Sequence, residues 1–567
     1  MSRAPDSCDV AIIGAGAAGA CVAYRLALAG VRVALLEKGD WLESRAHDDD
    51  ELYYYILRKG WPALDDEFTV ADLLWEDGAL TKPHRMGQSY GAVGGGTIYY
   101  AGVSSRFYPA DFTKRSQWGN LPGAALADWP KGFYGELEPY YGEAEGLIGV
   151  SGDHSRDPNF PRSANPRLLP ALPGHKLTEL LNAGARALGW NPFPIPLALN
   201  SRFNAANGMN WCISSGMCSG YPCAWRAKNA VDDVLLRPQR EQPHLQVITR
   251  VVARRIEVDA NGRARGVVFS QRGETVEHEL RCRAVVLGAS GILSPLIALL
   301  SQSKRFPNGL GNTNDLVGRH LMFHIEGQRG AYFDWDFGSE EFHNLKKTMV
   351  SDFYEPEPAD AFVNHTTIQA GSKSGPIRFV LSKRPGGWGG EYLRGVLADY
   401  MRYHELQAMC EDLPQHDNRV TIDPVHTDAD GMPCAHVRHR FHEMDGRAFL
   451  ATMRRMGQWL EAAGGEEISE LPSLMLEWEK DRRDGRDAGP PRRRPYGFHL
   501  MGTLRMGEDP DTSVVDRDCR FHEVPNVYCA DSSIFPSSTG VNPTLTIQAN
   551  ALRVADRMIA RAQNGGF

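Results

Sequence analysis

The sequence predicts the α/β class, and three observations carry that expectation. The chain has 567 residues, too many for one simple core, so two intimately connected domains are expected. Near the N-terminus a short apolar strand, Val10 to Ile13, runs into a glycine-rich turn and an Ala/Leu-rich helix. Far downstream, Val285 to Leu287 repeats that pattern, entering a second turn at Gly288 and a helix near Pro295. Apolar residues make up 42% of the chain and charged ones 23%, so both halves can bury a core and neither reads as disordered.

Charge and composition exclude several classes of function. A formal charge of -8 gives no basic footprint for a nucleic-acid backbone. The Arg-dense stretch Arg482 to Arg494 is interleaved with Asp and Pro and reads as a solvated loop. No segment approaches the ~20 consecutive apolar residues of a membrane-spanning helix. The lead Met1 to Ser7 turns at once into a strand, which leaves no room for a signal peptide. A cytoplasmic location is therefore expected, or a periplasmic one only through export with a signal-bearing partner subunit. The ten cysteines are mostly scattered, in the manner of reduced core residues.

The first turn, Gly14-Ala-Gly16-Ala17-Ala18-Gly19, lies between the strand and the helix Ala20 to Leu28. Gly14 permits the tight turn, Gly16 lets backbone approach a pyrophosphate, and Gly19 lets the helix pack on the strand. The helix N-terminus offers unpaired N–H groups to the anion. A second strand, Val31 to Leu36, ends in Glu37 and Lys38, and Glu37 is placed to accept hydrogen bonds from ribose hydroxyls. An acid there argues against a 2′-phosphate. The expected unit is a Rossmann-like dinucleotide-binding domain, with FAD and NAD both open at this point.

Four further segments resemble those of the glucose-methanol-choline (GMC) oxidoreductase family. They are Gly91 to Gly102, with Gly94-Gly95-Gly96-Thr97 at its centre; Val285 to Pro295, with Val317 to Leu321 after it; Glu411 to Val420; and His499 to Gly507, followed by Asp531 and Asn542-Pro543-Thr544. With the first turn, these matches follow the family's order and cover nearly the whole chain. The resemblance implies FAD, with the glycine run along the flavin ring, Ala289 and Asp531 on the cofactor, and Asn542 to Thr544 capping the pyrimidine side. It also implies a discontinuous arrangement: an FAD-binding domain from 1–165, 206–330 and 498–567, whose last part folds back onto the first strand. An insertion at 166–205 and the segment 331–497 would form a substrate domain on an antiparallel sheet. Some members attach FAD to a His after the glycine run. Here Ile98, Tyr99 and Tyr100 follow Thr97, so the FAD is expected to be non-covalent.

Hydride removal from an alcohol carbon requires that the hydroxyl proton leave too, and a neutral imidazole suits that task. By the resemblance His499 is that base, and Asn542 is an amide that donates to or orients the substrate oxygen. Glu411 reads as an exposed acid before Pro414, with a role toward substrate as the lesser alternative. Phe498 is either a platform for the substrate or packing. The substrate is expected to be a sugar, glycoside or other alcohol, with bulky aromatic or lignin-derived alcohols second. The electron acceptor is a quinone, dye or partner protein, or else oxygen in an oxidase of the same fold. A catalytic subunit of an electron-transfer complex, and a flavoprotein lyase or isomerase, are the readings from other classes. Cys212, Cys218 and Cys223 stand within twelve residues, and some multi-subunit sugar dehydrogenases of the family hold an iron–sulfur cluster on a similar triplet. The spacing of five and four intervening residues differs from theirs, and a loop of ordinary cysteines is favoured over a metal site.

Overall fold

The computed structural model describes residues 5–42, 51–52, 70–72, 91–214, 218–334, 346–371, 375–383, 389–484, 499–564 and 566. Phe498 lies outside them. The chain is α/β, as its sequence predicts, and two five-stranded sheets position the site.

The first sheet is parallel. Its strand order is Val527–Cys529, Ala284–Leu287, Val10–Ile13, Val33–Leu36, Leu245–Ile248. The strands Val10–Ile13, Val33–Leu36 and Ala284–Leu287 are short, apolar at every position and buried throughout, as expected when helices cover both faces. The first strand is central, with Val10 in register with both Val33 and Ala284. The C-terminal segment returns to this sheet, but Val527–Cys529 pairs with Ala284–Leu287 and not with the first strand itself. The last helix, Thr544–Gln563, then packs on the first, Ala17–Leu28. Strand ends from distant parts of the sequence are thereby gathered around the Gly14 turn.

The second sheet is antiparallel, in the order Met349–Val350, Thr366–Ala370, Tyr403–Glu411, His324–Phe333, Gly465–Glu466. Side chains alternate between its faces with period two. Ile325, Ile368, Ala370, Leu406, Ala408 and Cys410 fall on one face and join a core with Phe449, Met453 and Trp459 of the helix Glu443–Ala462. On the polar positions between them stand His324, Glu326, Gln369 and Gln407. That alternation makes one sheet at once a support for a helix and a polar wall.

Candidate active site

The two glycine turns of the parallel sheet meet backbone to backbone. A Cβ added at Gly14 would come 2.5 Å from the Gly288 carbonyl oxygen, and φ there is +98°, so only glycine fits. A Cβ on Gly19 would strike the Gly14 carbonyl oxygen at 1.9 Å, which is the close helix packing expected of that position. Gly16 differs: an added Cβ meets nothing within 4 Å, because that side of the turn opens onto a cavity of about 400 Å³.

This cavity is continuous from the first turn to the C-terminal motif. Gly14, Gly16, Ala17, Ala18, Glu37, Lys38, Gly95, Gly96, Thr97, Ala289, His499, Asp531, Asn542, Pro543 and Thr544 all line it. Of the expected cofactor-site residues only Gly19 and Gly94 are absent from its wall. Gly94 packs instead on Asp232, 2.9 Å from the carboxylate to an added Cβ. Thr97 pins this loop: its hydroxyl donates to the Gly94 carbonyl (2.6 Å) and accepts from Val231 N–H (3.1 Å). Glu37 accepts from the N–H groups of Ala15 (2.8 Å) and Gly39 (2.8 Å), which fixes its carboxylate at the cavity edge. Lys38 forms ion pairs with Asp428 (3.0 Å) and Asp430 (3.4 Å). Asp531 organises the second turn, accepting from Ser290 N–H (2.9 Å), the Ser294 hydroxyl (2.5 Å) and Ser533 N–H (2.9 Å).

The imidazole of His499 is 17% exposed and stands 2.6 Å, Nδ1 to Nδ1, from His324. The protonation of this pair follows from its neighbours. His324 Nε2 lies 2.7 Å from the Ser538 carbonyl oxygen and 3.0 Å from that of Thr539. Carbonyls only accept, so His324 Nε2 carries the hydrogen. Burial lowers the His324 pKa to about 4, against those two bonds, so its ring is neutral and its Nδ1 is a lone pair. His499 Nδ1 must then donate to it, which leaves His499 Nε2 as an acceptor. Burial first, then the neighbouring His324 and Lys346, push the His499 pKa well below its ordinary value, so His499 too is neutral at pH 7. Glu326 Oε1 lies 3.8 Å from His499 Nδ1.

Asn542 is held by a single described hydrogen bond, accepting at Oδ1 from Gln369 Nε2 (2.8 Å). Lys346 Nζ donates to Gln369 Oε1 (3.2 Å) and to Gln407 Oε1. Gln407 Nε2 donates in turn to Glu326 Oε2 (2.7 Å). The arc Glu326, Gln407, Lys346, Gln369, Asn542 thus continues the wall to which His499 belongs, and all of its members but Gln369 line the cavity. Sequence reasoning missed Glu326, Gln407, Lys346 and Gln369 of this arc, and His324. For His324, Glu326, Gln369 and Gln407 the signal that could have found them is the polar residues at alternating positions of apolar strands; Lys346 lies outside any strand.

Glu411 overturns an expectation. It is fully buried, not exposed: it pairs with Lys114 at 2.6 Å and accepts from His365 N–H at 3.0 Å. It does not line the cavity, because its place at the end of Tyr403–Glu411 turns it toward Lys114. Cys212, Cys218 and Cys223 form no disulfide among the described residues; burial raises the pKa of Cys212. Among the described residues no group of three or more His, Cys, Asp or Glu is disposed to hold a metal ion. No helix among them is long and apolar enough to cross a membrane.

Comparison with known proteins identifies the chain. A family profile described as FAD dependent oxidoreductase matches residues 9–48, and one described as GMC oxidoreductase matches residues 414–551. The chain is 30% identical to 2-methyl-1,2-propanediol dehydrogenase of Mycolicibacterium austroafricanum, over 99% of its own length and 97% of that protein. It is also 30% identical to 6'''-hydroxyparomomycin C oxidase of Streptomyces lividus, over 96% and 90%. In fold it resembles the crystal structure of pyridoxine 4-oxidase from Mesorbium loti, with a TM-score of 0.67 at 18% identity, covering 97% of this chain and 99% of that one. The glycine turns and the cavity between them are those of an FAD-dependent oxidoreductase acting on alcohol or sugar CH–OH groups. Within that class the chain belongs to the GMC oxidoreductase family. FAD fits the residues present: the open side of Gly16 admits a pyrophosphate, and Glu37 borders the same cavity as His499.

Proposed function

We propose that the protein oxidises a secondary or primary alcohol of a polyhydroxylated substrate, a sugar, glycoside or polyol, with His499 as proton acceptor and Asn542 as donor to the reacting oxygen. The observation that carries this reading is the hydrogen bonding that sets the His499 tautomer, in a residue that lines the same cavity as Asn542. The alcohol O–H donates to His499 Nε2, and the alcohol oxygen accepts from Asn542 Nδ2. As the proton arrives on His499, its Nδ1–H bond to the His324 lone pair becomes charge-assisted, and Glu326 lies close enough to favour the imidazolium. Bound FAD supplies the hydride acceptor at N5. Loss of one proton and one hydride converts CH–OH to C=O. With no His after the glycine run, and with Tyr99 and Tyr100 in its place on the cavity wall, FAD is held without a covalent bond.

The substrate class follows from the arc of Glu326, Gln407 and Lys346. Three polar side chains in the wall suit additional hydroxyls better than a plain hydrocarbon chain. The names of the two relatives, one for a diol and one for a hydroxyparomomycin, agree with this. The test is an anaerobic panel of sugars, glycosides, diols, simple aliphatic alcohols and aryl alcohols, followed by loss of flavin absorbance. Polyhydroxylated compounds are expected to bleach the flavin at least tenfold faster than simple alcohols of similar size, and equal rates across the panel would contradict the assignment. Peroxide formed in air during turnover identifies oxygen as acceptor; dye-coupled turnover without peroxide identifies another.

A further inference from the structure

Asn542 carries one donor end and one acceptor end, and the proposed function requires the donor end to face the substrate. A carboxamide can sit either way round at almost no steric cost, so something must choose. Building on that proposed function, we infer that Lys346 and Gln369 are positioning residues that fix the Asn542 carboxamide with its Nδ2 hydrogens, and not its Oδ1, offered to the substrate oxygen.

The groups that set this direction cannot reverse their role. The Lys346 ammonium has donors only, and its side chain is buried within the arc. Its Nζ donates to Gln369 Oε1 at 3.2 Å and to Gln407 Oε1, so each glutamine must turn its Nε2 away from it. For Gln407 the outer end is a carboxylate, Glu326 Oε2 at 2.7 Å, which can only accept and so agrees with that direction. For Gln369, fully buried and cross-strand partner of Gln407, the outer end is Asn542 Oδ1 at 2.8 Å. A reversed Gln369 would set its NH₂ against the ammonium and its oxygen against the Asn542 oxygen. The only consistent assignment runs from cation to glutamine to asparagine, and it leaves Asn542 Nδ2 as the free end. The His324 pair does the converse job and leaves an acceptor at His499 Nε2. Together the two relays present one acceptor and one donor, the complement of an alcohol hydroxyl.

The test is a double-mutant cycle on anaerobic flavin reduction, with bound FAD and melting temperature measured for every variant. Gln369→Glu keeps the pairing with Lys346 but cannot donate, so Asn542 must turn its NH₂ toward the new carboxylate and its Oδ1 toward the substrate. Reduction is expected to fall about 10- to 100-fold, comparable to Asn542→Ala, and the double variant Gln369→Glu/Asn542→Ala is expected to lie within about twofold of Asn542→Ala alone. Lys346→Arg, which keeps a donor-only cation, is expected to recover part of the rate that Lys346→Met loses; this pair carries the test if Gln369→Glu does not retain FAD. An impaired Asn542→Ala on which Gln369→Glu imposes its full loss again overturns this inference alone. An Asn542→Ala with wild-type reduction rates overturns the reading of the site and this inference with it.

Discussion

Replacing His324 tests the hydrogen-bond logic of the base directly. In His324→Leu the Nδ1 acceptor 2.6 Å from His499 is gone, and so is the reason for His499 to keep its hydrogen on Nδ1. The larger loss comes during reaction, when the imidazolium would have donated to His324. Hydrogen bonds to charged groups contribute about 1.5–3 kcal/mol. At about 1.4 kcal/mol per tenfold, that predicts a reduction rate roughly 10- to 150-fold slower. The substitution also leaves the Ser538 and Thr539 carbonyls without their donor, and Thr539 already holds a left-handed backbone (φ 67°), so some loss of stability is expected whatever the mechanism. His324→Asn separates the two effects. Its Oδ1 stands near the position of the lost Nδ1 and can accept from His499, yet it cannot reach the carbonyls as Nε2 does. Anaerobic stopped-flow reduction at saturating substrate, with FAD content checked, should find Asn recovering most of the rate that Leu loses. Equal losses in both variants would show a structural role only, and a Leu variant at wild-type rate would refute the tautomer assignment.

Gly16→Ala should leave the fold intact, because φ is -79° and an added Cβ meets no protein atom within 4 Å. The methyl group enters the cavity, and overpacking of about 1–3 kcal/mol predicts FAD binding weakened roughly 5- to 150-fold in a fluorescence titration; unchanged affinity would remove the pyrophosphate from that turn. Glu136 accepts from Arg517 (2.9 Å), Arg553 (3.0 Å) and Arg557, tying the helix Phe133–Ile148 to Thr544–Gln563. Burial pushes its pKa up, but the three guanidinium groups outweigh that and hold it at about 2. A depressed carboxylate pKa gives stability that is present above the unfolded value of about 4.3 and is lost as pH falls toward 2. The melting temperature of Glu136→Gln should therefore fall less over that window than the wild type's, and parallel curves would contradict the assignment.

The legible parts of the molecule were those in which one short segment carries its own reason. The Gly14 turn could be read because three glycines sit between a strand and a helix: Gly14 and Gly19 pack closely on backbone, and Gly16 opens onto the cavity. His499 and Asn542 could be read through family likeness, and they do reach the cavity that Gly16 opens onto. Their supports could not. His324 lies 175 residues before His499, and Gln369 lies 173 before Asn542. Each is an ordinary polar residue in an alternating strand, and only the register of the antiparallel sheet aims it at its partner. Glu411 was misread for the same reason: in sequence it is an acid near a proline, whereas Lys114, 297 residues earlier, turns it into half of a buried pair.

The central claim is that the His499 imidazole takes the substrate's proton in a cavity that also holds FAD. His499→Ala, loaded with FAD and mixed anaerobically with the best substrate of the panel, measures this most directly. An unchanged flavin spectrum and content are expected, with reduction slowed by about 10²- to 10⁴-fold. Reduction at the wild-type rate would contradict the claim.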